Sequence, residues 1–232
     1  MLTVPWGCSE PRDRKGRKRY TSMSTNAKIA MDVQGLVAQA ANLSEHLQLL
    51  LSDDRQHVNK TERDALCLLH WSLIFEHHQG MLLLLQRGFY APAFALMRPL
   101  EEAFLRLFVA MSGTENQVAA LWKGTYKTEF EVVWRQIYEK VGLEPRLEPW
   151  LKTKIKALHG FTHGGKEQLV RQASGSDIVS SYTDDEVCSL VRETMPIAFF
   201  TALLTTAFLD YPTEHQRAVA MLNEYAQGTT RV

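Results

Sequence analysis

Apolar residues at Ile29, Val33, Leu36, Val37, Ala40, Leu43, Leu47 and Leu50 recur every three to four positions. That spacing gathers them on one face of a helix with about 3.6 residues per turn. The polar run "SDDRQHVN" ends the pattern and predicts a first helix over about 25–51. A second opens at Thr61, spaced to cap the amide of Asp64, and carries "LCLLHWSLIFEHHQGMLLLL" to Gly88, a residue suited to a left-handed helix end. The third, about 91–111, takes Pro92 in its first turn, whereas Pro99 lacks an amide hydrogen and must bend or divide it. A fourth covers about 115–141, up to Gly142 and Pro145, and a shorter one about 148–161. "KEQLVRQ" supplies one or two turns. Beyond the polar loop "ASGSDIVSSYT", a long helix starts at Thr183 or Asp184 and runs to about Asp210, and a last one spans about 213–225. No alternation of period two persists over the length of a strand. The expected class is all-α, a single up-and-down bundle of about five to seven helices.

Composition sharpens this picture in two places. The 232 residues, 45% hydrophobic and 22% charged, suffice for one core, and 26 basic against 26 acidic residues leave no net charge to draw the whole chain to nucleic acid or membrane. The balance conceals a basic head. Arg12, Arg14, Lys15, Arg17, Lys18 and Arg19 stand against Glu10 and Asp13, so residues 1–23 read as a disordered basic leader or a mis-assigned start, and 24–232 as the bundle. Cys8, Cys67 and Cys188 are scattered and odd in number, which fits a reducing cytoplasm. "MPIAFFTALLTTAFL", broken by Pro196 and three threonines, is too short for a confident membrane span and reads as a buried helix of a soluble protein.

Candidate chemistry lies in two stretches. The third helix, "APAFALMRPLEEAFLRLFVAM", is apolar on nearly every side, as a central helix would be, and carries only Arg98, Glu101, Glu102 and Arg106 as charges. Arg98, Glu102 and Arg106 follow at i, i+4 and i+8, one stripe in which Glu102 can meet either arginine, either as a buried pair that marks a site or at the bundle's edge with the arginine stems lying over apolar neighbours. The second stretch, "ALHGFTHGGKEQ", sets His159 and His163 four residues apart before Gly164 and Gly165. That spacing suits two ligands of one metal ion, with Glu76, His77, His78, Glu101 or Glu102 as a third. It equally suits a plain helix end, where a histidine meets the carbonyl pole and glycine reverses the chain. His77 and His78 point to different faces, so at most one joins such a cluster. Nucleotide-binding glycine loops, nucleophile elbows and the histidine–glutamate motifs of metalloenzymes are absent from the sequence.

"GFYAPAFALMRPLEEAFLRLF" followed by "HGFTHGG" resembles a group of uncharacterised bacterial helical proteins with RPLxEA and THGG motifs, over about 88–165 and more loosely over 28–209. It is also similar, distantly, to the HEPN superfamily of helical bundles found in toxin–antitoxin, abortive-infection and CRISPR-associated systems. The resemblance implies emphasis on Arg98, Glu102, Arg106, His163 and Gly164, to which the histidine spacing adds His159 and His77 as candidate binding residues. It further implies a homodimer, RNA or nucleotide as ligand, an antitoxin or defence-system partner and no membrane. In active HEPN ribonucleases a closely spaced arginine and histidine of a late helix cleave RNA; here that spacing occurs only at Arg63 and His70, in the second helix. With Arg98 and His163 converging instead, histidine would move the proton, arginine would stabilise the phosphorane and Glu102 would orient Arg98, with no cofactor required. A metal-dependent bundle enzyme using His159 and His163, and a non-enzymatic interaction protein, are the alternatives.

Overall fold

Side-chain oxygens start the helices where the sequence offers them. Asp32 accepts from the Gly35 amide at 2.6 Å and Thr61 from the Asp64 amide at 3.1 Å, while Thr114 with Gln117 and Thr183 with Glu186 form reciprocal capping boxes. The computed structural model describes residues 32–51, 61–140, 160–162, 165–172 and 181–227. The leader expected at 1–23 lies outside them, as do His159, His163 and Gly164.

Among the described residues every regular element is helical. They are α1 (Val33–Leu49), α2 (Glu62–Gln86), α3 (Tyr90–Ala95), α4 (Met97–Ser112), α5 (Glu115–Trp122), α6 (Phe130–Lys140), α7 (Lys166–Leu169) with the 3-10 turn Val170–Gln172, α8 (Asp184–Phe208) and α9 (Pro212–Ala226). The fold is an all-α bundle, as the periodicity predicts. Helix α2 ends as expected: Gly88 takes φ +75°, and the Phe89 amide reaches back to the Leu84 carbonyl at 2.8 Å.

Two predicted helices are each divided. The third breaks at Leu96 into α3 and α4. Pro99 has no N–H for the Ala95 carbonyl, so the i→i−4 ladder loses that rung, and the Leu96 amide, just before it, shares its bond between the Pro92 carbonyl four back and the Ala93 carbonyl three back. The fourth stops at Trp122. Gly124 takes φ +68°, the Thr125 and Tyr126 amides both bond the Ala120 carbonyl at 2.9 and 3.1 Å, and residues 125–129 run without helix to α6.

The central position belongs to α2, a correction to the expectation for the third helix. Helix α2 packs against α1, α3, α4, α5 and α8, and its Trp71, Ile74, Phe75, Met81, Leu82 and Leu85 are at most 1% exposed. Each such side chain contributes roughly 2–3 kcal/mol of apolar burial. Helix α4 packs on α2, buries Leu100, Ala103, Phe104, Leu105 and Leu107, and keeps Arg98, Glu102 and Arg106 on its partly exposed side. Helix α8 is the one described helix long and apolar enough to cross a membrane, and 56% of its most apolar window is buried within the fold.

Candidate functional site

The predicted stripe on α4 forms, with different partners from those expected. The Arg106 guanidinium donates through Nε to Thr128 Oγ1 at 3.0 Å and approaches Glu102 Oε1 at 3.5 Å. Glu102 therefore orients Arg106; Arg98 instead stands 5.4 Å from the centre of the Phe130 ring, a cation–π contact. The i, i+4 pair Glu102–Arg106 is far from buried, its side chains being 34% and 41% exposed. The buried acid of this helix is Glu101, at 0% exposure, one position round towards the core. Water screens a pair as open as Glu102–Arg106, so Glu102→Ala should shift stability by no more than about 0.5 kcal/mol. Chemical denaturation of the variant measures this; a loss of several kcal/mol would mean the carboxylate is tied into the core.

Two stretches singled out in the sequence meet through aromatic rings. Phe161, buried, lies 5.3 Å from Phe94 of α3, which in turn lies 4.8 Å from Tyr182 before α8. Gln168 of α7 donates to the Ala91 carbonyl at 3.2 Å, Arg171 pairs with Glu186, and the Arg171 guanidinium covers the Tyr182 ring at 5.3 Å. Residues 160–162 are helical, and the Gly165 amide bonds back to the Gly160 carbonyl at 2.7 Å.

The histidines of α2 separate by environment. His78 is 0% exposed, with Nδ1 2.9 Å from Ser44 Oγ on α1 and Nε2 3.3 Å from Thr194 Oγ1 on α8. Thr194 spends its own hydroxyl proton on the Leu190 carbonyl at 2.9 Å, so Nε2–H donates to Thr194 and Nδ1 accepts from Ser44. His78 is thus a neutral tie between three helices, and burial pushes its pKa down to about 4. His70 is pushed to about 4 as well, first by burial and then by the nearby charge of Arg106. His77 is half-buried, its pKa lowered by burial against the opposing pull of Glu76, and no contact joins it to the α4 stripe among the described residues.

Arg63, which shares with His70 the spacing noted above, is committed elsewhere. It donates to the Ala110 carbonyl at 2.6 Å and the Gly113 carbonyl at 3.1 Å and pairs with Glu115 at 2.6 Å, closing the C-terminal end of α4. A guanidinium so occupied is a structural clamp rather than half of an Arg–His catalytic pair. Among the described residues no group of three or more His, Cys, Asp or Glu side chains is placed to hold a metal ion.

Thr128 and Phe130 are the contacts that sequence reasoning missed. They follow an interruption hidden inside a good helical pattern, and the sole local signal was Gly124 beside the β-branched Thr125 and Thr128. Comparison with known proteins finds that the model of a family of unknown function, DUF6988, matches residues 71–230, from the middle of α2 through α9 and including both motif stretches. No curated protein and no solved structure matches the chain.

Proposed function

The chain belongs to DUF6988, a family of unknown function, and from that premise we propose that it is an RNA- or nucleotide-interacting protein of HEPN-like type, working from the Arg98–Glu102–Arg106 face of α4. The single observation that carries this reading is the state of the two arginines. Both are partly exposed on one stripe, and among the described residues Arg98 has the Phe130 ring but no carboxylate as partner. A guanidinium kept beside an aromatic ring with its donors unspent is suited to a phosphate and a stacked base.

His163 completes the proposed site. Metal-independent cleavage would follow if its imidazole took the 2′-hydroxyl proton as the 2′-oxygen attacked phosphorus, the P–O5′ bond breaking with the 5′-oxygen protonated by water and Arg98 stabilising the charge on the phosphorane. Gly164 and His159 would line the approach. The proposed setting is bacterial and cytoplasmic, with a homodimer and an antitoxin or defence-system partner. The exposed row Phe200, Leu204 and Phe208, at 52%, 37% and 37%, gives a second copy or another protein an apolar stripe on α8 to cover, and it also favours the second reading, a non-enzymatic interaction protein.

Fluorescence anisotropy with a short single-stranded oligouridylate at low salt tests the reading. Arg98→Ala with Arg106→Ala should weaken binding at least about tenfold and flatten its salt dependence by about two charges. His163→Asn should leave binding intact while abolishing any cleavage in the presence of a chelator, read as loss of the 2′,3′-cyclic phosphate product. Wild-type protein that binds no RNA at low salt would overturn the proposal.

A further inference from the structure

Past Arg106 the stripe on α4 runs into a groove. Steps of three and four residues from Arg98, Glu102 and Arg106 lead on to Val109 and Gly113, and both line an open groove of about 390 Å³ between the C-terminal half of α4, the turn into α5 and α6. It begins three residues, about 4.5 Å along the helix axis, beyond Arg106. Its volume is that of a small-molecule site, and the described side chains that line it carry no charge.

Hydrogen bonds within the chain fix what two of the lining groups still offer. Gln117 Oε1 accepts from the Thr114 amide at 2.8 Å and from the Thr114 hydroxyl at 3.2 Å, so its oxygen is held on the cap of α5 and its NH2 end is left to donate. Ser112 donates its hydroxyl proton to the Phe108 carbonyl at 2.8 Å, so Oγ can only accept. Gln136, exposed on α6, brings a second amide that can turn either end to a ligand. Half-buried Phe108 and buried Val109 supply the apolar wall.

We propose that this groove recognises a nucleobase carrying a carbonyl beside a ring N–H, the lactam edge shared by uracil and guanine. The Gln117 NH2 donates to the carbonyl and Ser112 Oγ accepts from the ring N–H. Cytosine and adenine present the reverse order, an amino group beside an unprotonated ring nitrogen, which sets donor against donor and lone pair against lone pair. The inference rests on the reading of α4 as a face that meets RNA or a nucleotide, and adds which bases that face selects.

Affinities of the full chain for the same oligouridylate and for an oligocytidylate of equal length test this, since the two differ at that edge and not in charge. The wild type should prefer oligouridylate by about fivefold or more. Gln117→Glu keeps an oxygen for the Thr114 cap but replaces the NH2 donor with an acceptor. Its melting temperature should hold while the ratio of the two affinities falls to about one or inverts, the added charge weakening both ligands alike. Gln136→Ala should narrow the preference without affecting the fold. Free uridine, which has no phosphate, should shift the side-chain amide signals of Gln117 in nuclear magnetic resonance spectra, and cytidine should shift them less. Oligonucleotide binding with no preference for uridylate, or with the ratio unchanged in Gln117→Glu, would overturn the base site and leave the phosphate-binding reading standing. A uridine shift at Gln117 in a protein that binds neither oligonucleotide would uphold the base site and overturn the phosphate-binding reading.

Discussion

Replacing His78 with alanine is expected to destabilise the protein by about 3 kcal/mol, through a cavity at the three-helix junction, the loss of the acceptor for the Ser44 hydroxyl and the loss of the donor to Thr194 Oγ1. Ser44 and Thr194 are both 0% exposed, so neither can turn to water when the ring is gone. The same residue sets a pH dependence whose direction is fixed by its burial. His78 has an ordinary value of 6.5 and about 4 in the fold, so between those values the unfolded chain binds a proton that the native state refuses. Stability is full above about pH 6.5 and declines as pH falls towards 4, by about 3 kcal/mol in all for this group. His70, also lowered to about 4, adds to the decline with the same sign. Urea midpoints followed from pH 7.5 to 4.5 measure the slope. In His78→Gln, which cannot titrate, the His78 share should vanish while the His70 share persists; an unchanged slope would mean His78 is not held neutral.

Removing the Arg63 side chain should cost about 3 kcal/mol, although no deep core residue is touched. One guanidinium there satisfies the carbonyls of Ala110 and Gly113 and the carboxylate of Glu115, binding the start of α2 to the end of α4 and the start of α5. The first two are among the last carbonyls of a helix, which have no intrahelical partner of their own. Gly113 serves the same junction by its lack of a side chain, since a Cβ there would stand 2.5 Å from the Val109 carbonyl oxygen. Arg63→Ala leaves those carbonyls without their donor, and Arg63→Lys should recover less than half of the loss, because a single ammonium cannot span three acceptors in the geometry of a planar fork. Differential scanning calorimetry of both variants gives the comparison. Full rescue by lysine would show that charge alone, and not the fork, holds the junction.

The all-α class and most helix starts were legible because they depend on local rules. Thr61, Thr114 and Thr183 cap the residues three positions on whatever lies across the bundle, and Gly88 closes α2 because a residue without Cβ takes positive φ cheaply. The candidate site was legible only as a spacing. Arg98, Glu102 and Arg106 do share one side of α4, yet i and i+4 geometry allows Glu102 either arginine, and the choice fell to Arg106 because Thr128 and Phe130 arrive from another part of the chain.

Periodicity and turn chemistry, acting within a few residues, determined that this protein is a helical bundle and where most of its helices begin. Tertiary structure decided the rest. It placed α2 rather than the third predicted helix at the centre, broke the fourth at Gly124, and buried Glu101 while leaving Glu102 at the surface. It turned His78 into a neutral tie and Arg63 into a clamp. The physical reason is the same in each case: burial, and the partner a polar group receives, depend on side chains separated by tens of residues along the chain, such as Ser44 and Thr194 on either side of His78 or Ala110 at Arg63, and no local pattern specifies which of them will meet.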